Sequence, residues 1–388
     1  MLMKNTNEII IRTAEISDLE RLKKFFIRAY GEKTIFQNED FLNHYFDASL
    51  NKKPVFSNCL IGINNKEEII SHYGGLEYNL KIKNKIFSMI WGVSAYTLQE
   101  YRGKGVNSKI IEFITSNFEV NGVIGFTSQT SLFYQKLGYN IFNFEKFTRH
   151  ILVLENDKTK EVCKYINQDF NFLKKQIRTL GEMSNVKYLD KVVELTAENI
   201  DNYELFLEID FPEITTTQRT KDFLKWRFFK NPFIKYTLYG VIDNGAVVAY
   251  IALRVETLIP FSYKVTRIID LFGRADVIKT LFSITTNSAL SLKHIYIDFS
   301  KFGCIYEKEL DSFGFISLSN DDCCILPQVT SPIENRPNGE FLGILSKSFF
   351  EEINSLSNEN VYFTRMDSDR DRIANINQIT KSKNDKQL

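Results

Sequence analysis

Apolar and polar positions along the chain follow two periods. EIIIRTA, starting at residue 8, is a short apolar, β-rich run that reads as a strand. After Ser17-Asp18-Leu19-Glu20 the period lengthens to that of an amphipathic helix, LERLKKFFIRAY. Ser17 and Glu20 have the spacing at which two side chains cap each other's backbone donors, so the helix is expected to start there. The same arrangement returns at KVVELTAENIDNYELFLEI, where Thr196-Ala197-Glu198 and Asp201 repeat Thr13-Ala14-Glu15 and Asp18 at an offset of 183.

Later features keep nearly that offset. The turn INN ending at Asn65 answers IDN ending at Asn244, and both lie between apolar runs, as hairpin turns do. GVIGFTS at 122–128 answers HIYIDFS at 294–300, and Gly138 of FYQKLGY answers Gly314 of YEKELDSFGF. Offsets that stay between 172 and 183 predict one fold used twice. Each half reads strand, helix, several strands, helix, strand, helix, strand, a mixed α/β order of the α+β type. The expected organisation is a first domain over 1–155, a charged linker helix over 156–186, a second domain over 187–372 and a flexible tail over 373–388.

The chain has 388 residues, 44% hydrophobic and 25% charged, which excludes fibrous and wholly disordered classes. Lys and Arg number 49 against 48 Asp and Glu, a net charge of +1. No global field collects a polyanion, so neither nucleic acid nor a membrane surface is an expected partner. The N-terminus lacks the apolar core of a signal peptide and no apolar run is long enough to span a bilayer, so a soluble cytoplasmic protein is expected. Cys59, Cys163, Cys304, Cys323 and Cys324 show neither a CxxC nor a Cys/His metal spacing. The run Asp367-Ser368-Asp369-Arg370-Asp371-Arg372 lacks the glycine and distant glutamate of a calcium loop, so no metal is expected and a solvated charge run or a domain-closing salt-bridge cluster is the better reading. KIKNK at 81–85 reads as an exposed hairpin turn.

The chemistry concentrates in FSMIWGVSAYTLQEYRGKGVNSKIIEFITSNF, residues 87–118. An apolar strand runs into a Gly-rich basic loop, Arg102-Gly103-Lys104-Gly105-Val106-Asn107, at the start of a helix. Free N–H groups and the positive end of the helix dipole face an anion there, the glycines permit positive φ, and Arg102 and Lys104 add charge. Such a loop suits a pyrophosphate.

With the strand GVIGFTS and the run Leu132-Phe133-Tyr134-Gln135-Lys136-Leu137-Gly138-Tyr139 following it, the segment resembles the GNAT superfamily of acyl-CoA-dependent N-acyltransferases. Arg102 and Gly105 match its R/Q-x-x-G-x-G/A phosphate loop, with Asn107 in place of the usual small residue. Phe133 to Tyr139 match its FYxKLGF-like helix. The resemblance covers about residues 8–150, and makes the first domain the catalytic one. In the second half the equivalent stretch, IIDLFGRADVIKTLF, keeps the single Gly273 and no basic GxG, so that degenerate copy is not expected to bind CoA. The run Phe223-Leu224-Lys225-Trp226-Arg227-Phe228-Phe229 with Asn231-Pro232 resembles one in tandem acyltransferases of surface-polysaccharide synthesis.

What the resemblance implies is transfer of acetyl from acetyl-CoA, as co-substrate, to the primary amine of a small substrate such as a nucleotide-linked amino sugar, by direct attack. Backbone N–H groups around Ala95, Tyr96 and Thr97 would steady the oxyanion. Tyr134 would protonate the leaving thiolate. His72 or Glu77 on the strand Ser71-His72-Tyr73-Gly74-Gly75-Leu76-Glu77, or a water, would take the amine's proton, though alternation puts those two side chains on opposite faces. Two other readings remain open at this point. One is a different acyl donor or a peptide or protein amine, and the other is a CoA-binding or sensor protein without turnover.

Overall fold

The computed structural model describes residues 9–47, 50, 52–142, 147–176, 187–207, 213–318, 326 and 341–373. In chain order the first elements are β1 (Ile10–Thr13), α1 (Leu19–Tyr30), α2 (Glu39–Tyr45), β2 (Leu60–Ile63), β3 (Ile69–Ile82), β4 (Lys85–Thr97), α3 (Val106–Asn117), β5 (Val120–Phe126), α4 (Ser128–Lys136) and β6 (Asn140–Phe142). β7 (Thr148–Val153), α5 (Asn156–Tyr165) and α6 (Phe170–Gln176) follow. Next come β8 (Val192–Leu195), β9 (Glu204–Leu205), β10 (Thr215–Thr217), α7 (Lys221–Leu224) with a π-helical turn Lys225–Phe229, β11 (Tyr236–Asp243), β12 (Ala246–Leu258), β13 (Tyr263–Gly273) and α8 (Ala275–Ser291). The last are β14 (Tyr296–Phe302), α9 (Glu307–Phe313), β15 (Ile316–Leu318), β16 (Phe341–Leu345), α10 (Phe350–Asn354) and β17 (Phe363–Thr364).

Two mixed sheets carry these strands. The first runs β1-β2-β3-β4-β5-β16-β6 and the second β8-β11-β12-β13-β14-β7-β15. Position by position the orders correspond, and each has one parallel pair at its centre, β4 with β5 and β13 with β14. The fold is therefore one α/β design used twice, as the offsets predict.

One strand of each sheet comes from the other half. β16 lies between β5 and β6 of the first sheet, pairing Gly343 with Val123 on one side and with Ile141 on the other. β7 occupies the matching place in the second sheet, between β14 and β15. Neither sheet stays on one side of the expected boundary at residue 155. β10 adds a further crossing by pairing with β3.

Local differences from the sequence reading have physical causes. α1 is entered through Asp18 rather than through a Ser17/Glu20 pair: the Glu15 N–H donates to the Asp18 carboxylate at 2.9 Å, and Arg12 and Arg21 fix that buried carboxylate. In the second half no long helix follows β8. The stretch after Asp201 alternates, with Tyr203, Leu205 and Leu207 partly buried and Phe206 exposed, so it forms a short turn and β9 instead. The linker holds two short helices, α5 and α6, and residues 177–186 lie outside the described residues, as do Cys323, Cys324 and the tail from 374 onward. Ile373, the first residue of the expected tail, is buried in the main core. Hairpins form at Asn65, Asn244 and KIKNK as expected.

The run 367–372 is a buried ion-pair cluster between the halves. Arg227 closes on Asp371, Arg219 bonds Asp270 and lies 3.7 Å from Asp367, and Arg372 pairs with Asp369 at 2.8 Å.

Candidate active site

The parallel pair at the centre of the first sheet is short. β4 and β5 pair only over Met89 to Trp91, after which β4 stays with β3 and β5 with β16, leaving a wedge between them. β4 also carries one extra residue there: His72 faces Tyr96 while Gly74 faces Val93, so Ser94 and Ala95 bulge opposite Tyr73, with Ser94 at φ +52°. A bulge at a wedge exposes backbone groups that a continuous ladder would consume.

The basic loop follows. Its two glycines have φ of +75° at Gly103 and +74° at Gly105, which makes them hard to replace although nothing crowds either one. Gly105 is the N-cap of α3 with no side-chain cap hydrogen bond, so the first amides of a twelve-residue helix stay open to a ligand. Arg102 anchors the loop to β4, with its Nε donating to the Thr97 carbonyl at 3.1 Å and its guanidinium 5.3 Å from the centre of the Tyr96 ring. Lys104 lies over Tyr101 at 4.8 Å. Val106 is buried in the core beneath the loop. Asn107 does not crowd the loop: its Oδ1 accepts from the Thr97 hydroxyl at 3.0 Å, tying α3 to the end of β4.

From this loop a cleft of about 520 Å³ runs beneath α3 and α4. Its walls bring together Ala95, Tyr96, Thr97, Asn107 and Tyr134, with Tyr73 at the floor. Tyr134 packs against Phe126 and Tyr139, and burial pushes its phenol well above the ordinary tyrosine range. Of the residues quoted for the phosphate loop, Asn107 lines this cleft, where it meets Phe133, Tyr134 and Leu137 of the run quoted after it.

His72 and Glu77 do not join them. His72 lies on the opposite face of β3, 1% exposed among Phe25, Phe26 and Phe46, with Nδ1 donating to the Ser94 carbonyl at 3.1 Å. Burial lowers its pKa to about 4. Glu77 is held by Lys53 at 2.7 Å, away from the cleft.

A second cleft of about 440 Å³ opens on the face of β3 that carries Leu76 and Tyr78, opposite Tyr73. It lies between the halves, walled by α2, by Trp226 and Arg227 of the π-helical turn, and by Ser368, Asp369, Asp371 and Arg372. Here sequence reasoning missed residues: His44 and Tyr45 carry no motif, and the 367–372 run reads as structural. Trp226 lines this cleft, whereas Trp91 is fully buried against Phe363.

The second half keeps the wedge and the bulge but fills them. β13 carries an extra residue between its partners Ala252 and Leu253, and its pairing with β14 stops at Ile268. β17 then pairs with β14 inside the opening, the Tyr362 hydroxyl donates to Leu271, and Thr364 donates to Asp270 at 2.8 Å. At the start of α8 the Gly273 N–H goes to Tyr306, and Arg274 is held by Asp243 and Asp276. Among the described residues no group of three His, Cys, Asp or Glu side chains is placed to hold a metal ion, and no helix is long and apolar enough to cross a membrane.

Comparison with known proteins agrees with this geometry. The acetyltransferase (GNAT) domain family matches residues 10–142. A probable N-acyltransferase from Enterococcus faecalis has a similar fold at 10% identity, over 87% of this chain and 72% of that one, with a TM-score of 0.54. A GCN5-related N-acetyltransferase from Anabaena variabilis is similar at 9% identity, over 87% of this chain and 72% of that one, with a TM-score of 0.53. No curated protein matches in sequence. The match to the GNAT domain family thus falls on the half with the open wedge and the phosphate-type loop, and the second half is a copy of that half's fold with the site filled.

Proposed function

We propose that the protein is an acyl-CoA-dependent N-acyltransferase that transfers acetyl from acetyl-CoA to the primary amine of a small substrate, with a nucleotide-linked amino sugar as one candidate. The observation that carries the reading is the single cleft that joins the uncapped, glycine-flanked start of α3 to the β4 bulge and to Tyr134.

Each residue has a physical task in it. Amides of 103–107 with Arg102 and Lys104 hold the pyrophosphate. Backbone N–H groups at the bulge, around Ala95 to Thr97, stabilise charge that develops on the thioester oxygen. The amine nitrogen forms the new C–N bond, the C–S bond breaks, and the thiolate takes a proton from the Tyr134 hydroxyl. The proton that the nitrogen loses returns through water to the phenolate. This phenol is protonated at neutral pH, so it enters the reaction as a donor and not as the group that first deprotonates the amine, although burial makes it a weaker acid than an ordinary tyrosine. His72 is neutral and enclosed by phenylalanines, so it supports the bulge through Ser94 and takes no proton from substrate.

Titration calorimetry with acetyl-CoA tests the reading. Wild type should bind and the Arg102→Glu, Gly105→Glu double variant should not. Wild type without affinity for acetyl-CoA defeats it.

A further inference from the structure

The cleft between the halves has a property that packing alone does not explain. Three polar atoms of residues that line it are buried and lack any hydrogen-bond partner: the hydroxyls of Tyr78 and Ser368 and the Trp226 indole N–H. These residues are at most 6% exposed. A buried donor without a partner is costly, and native proteins keep few of them. Three around one cavity, drawn from β3, the π-helical turn and the 367–372 segment, form a set of donors waiting for a ligand.

The charges in the wall are balanced. Arg227 is closed on Asp371, which also accepts from the Tyr236 hydroxyl at 2.6 Å, and Arg372 is paired with Asp369 at 2.8 Å. His44, half-buried with burial lowering its pKa to about 4, is neutral at pH 7. No cation in this wall is left over for a phosphate. Trp226 and Phe233 add aromatic surface. Tyr45 lies beside both Asp369 and the Ser94 hydroxyl, so this cleft abuts the β4 bulge, whose Ala95 lines the other cleft.

The geometry points to this inter-half cleft as the acceptor site, shaped for a primary amine on a small, hydroxyl-rich ring without negative charge, an amino sugar free of phosphate. The inference rests on the proposed acyl transfer and narrows it against a nucleotide-linked acceptor. Hydroxyls of the ring supply partners to the orphaned donors, the aromatic walls cover its C–H face, and the amine reaches the bulge past Tyr45. The second half thereby contributes half of the acceptor pocket after losing its own site.

Tyr78→Phe and Trp226→Phe each remove one orphaned donor while keeping an aromatic ring. Thiol release is followed with acetyl-CoA and three probes: glucosamine, UDP-glucosamine and a short lysyl peptide. Acetyl-CoA affinity is measured alongside by calorimetry. Wild type should prefer glucosamine, and each variant should raise its KM about tenfold, the effect of one lost hydrogen bond, with acetyl-CoA affinity unchanged. The melting temperature should stay level or rise, because the free protein loses an unpaired buried group. The inference is overturned by an unchanged KM, by preference for UDP-glucosamine or the peptide, or by a wild type that binds acetyl-CoA yet acetylates none of the three. Loss of acetyl-CoA binding would instead remove the acyl-transfer reading itself.

Discussion

The guanidinium of Arg370 fills the space that a Cβ at Gly125 would occupy, and Gly125 sits at φ +81° on β5. A residue near the end of the second half thus packs directly on the central strand of the first sheet, beside the wedge. Gly125→Ala meets two penalties there, a left-handed backbone and a displaced arginine. It should lower unfolding free energy by about 1–3 kcal/mol in a urea titration. Adding Arg370→Ala should recover the steric part and leave the backbone part, so the two changes should be non-additive. Strict additivity would show that the contact carries no energy.

Exchange of β7 and β16 predicts that the halves do not fold separately. A fragment ending at 155 lacks β16, which leaves Val123 and Ile141 facing an open gap in the sheet where Gly343 belongs. Unpaired edges of that kind favour aggregation. Residues 1–155 expressed alone should give no cooperative unfolding transition, and co-expression with 156–388 should restore one. A fragment that melts cooperatively by itself would refute this.

Much of this design is legible in the sequence because it rests on local signals. Gly103, Gly105 and the helix after them announce an anion site, and Asn65 and Asn244 announce hairpins. The exchange is not legible, since β7 and β16 read as ordinary strands wherever they pair, and pairing across about 200 residues leaves no trace in periodicity. The second cleft is hidden for a similar reason. Tyr45, Tyr78, Trp226 and Ser368 come from four distant segments, and each looks like core or surface until the halves close around it. His72 shows the opposite case: a titratable residue on a central strand attracts a catalytic role, but its face of β3 is packed by phenylalanines.

Tyr134→Phe separates chemistry from binding. Removing the hydroxyl leaves the ring contacts with Phe126 and Tyr139 and should leave acetyl-CoA affinity near wild type. The turnover number should fall by roughly 10²-fold or more, as for loss of a general acid. Because burial raises this phenol's pKa, wild-type turnover should show no alkaline decline in the usual tyrosine range near pH 10. An alkaline limb there that disappears in Tyr134→Phe would contradict the assignment.

His72 gives a pH dependence of stability whose sign follows from its burial. An imidazole in the unfolded chain titrates near 6.5, and in the folded protein at about 4. Above pH 6.5 neither state binds the proton, so His72 adds no slope. Between 6.5 and 4 the unfolded chain takes up a proton that the native state refuses, and stability falls as pH drops, by about 1.4 kcal/mol per unit for one such group. Below 4 both states are protonated and the loss levels off. His44, also lowered to about 4 by burial, and His150 and His294, lowered in the same direction for the same reason, contribute with the same sign. His72→Gln keeps an N–H that can reach the Ser94 carbonyl but does not titrate. Urea midpoints at pH 7.5 and 5 should therefore lie closer together in the variant than in wild type. Equal spacing in the two proteins would mean that His72 is protonated in the folded state, and with it the enclosed, neutral position on β3 would be lost.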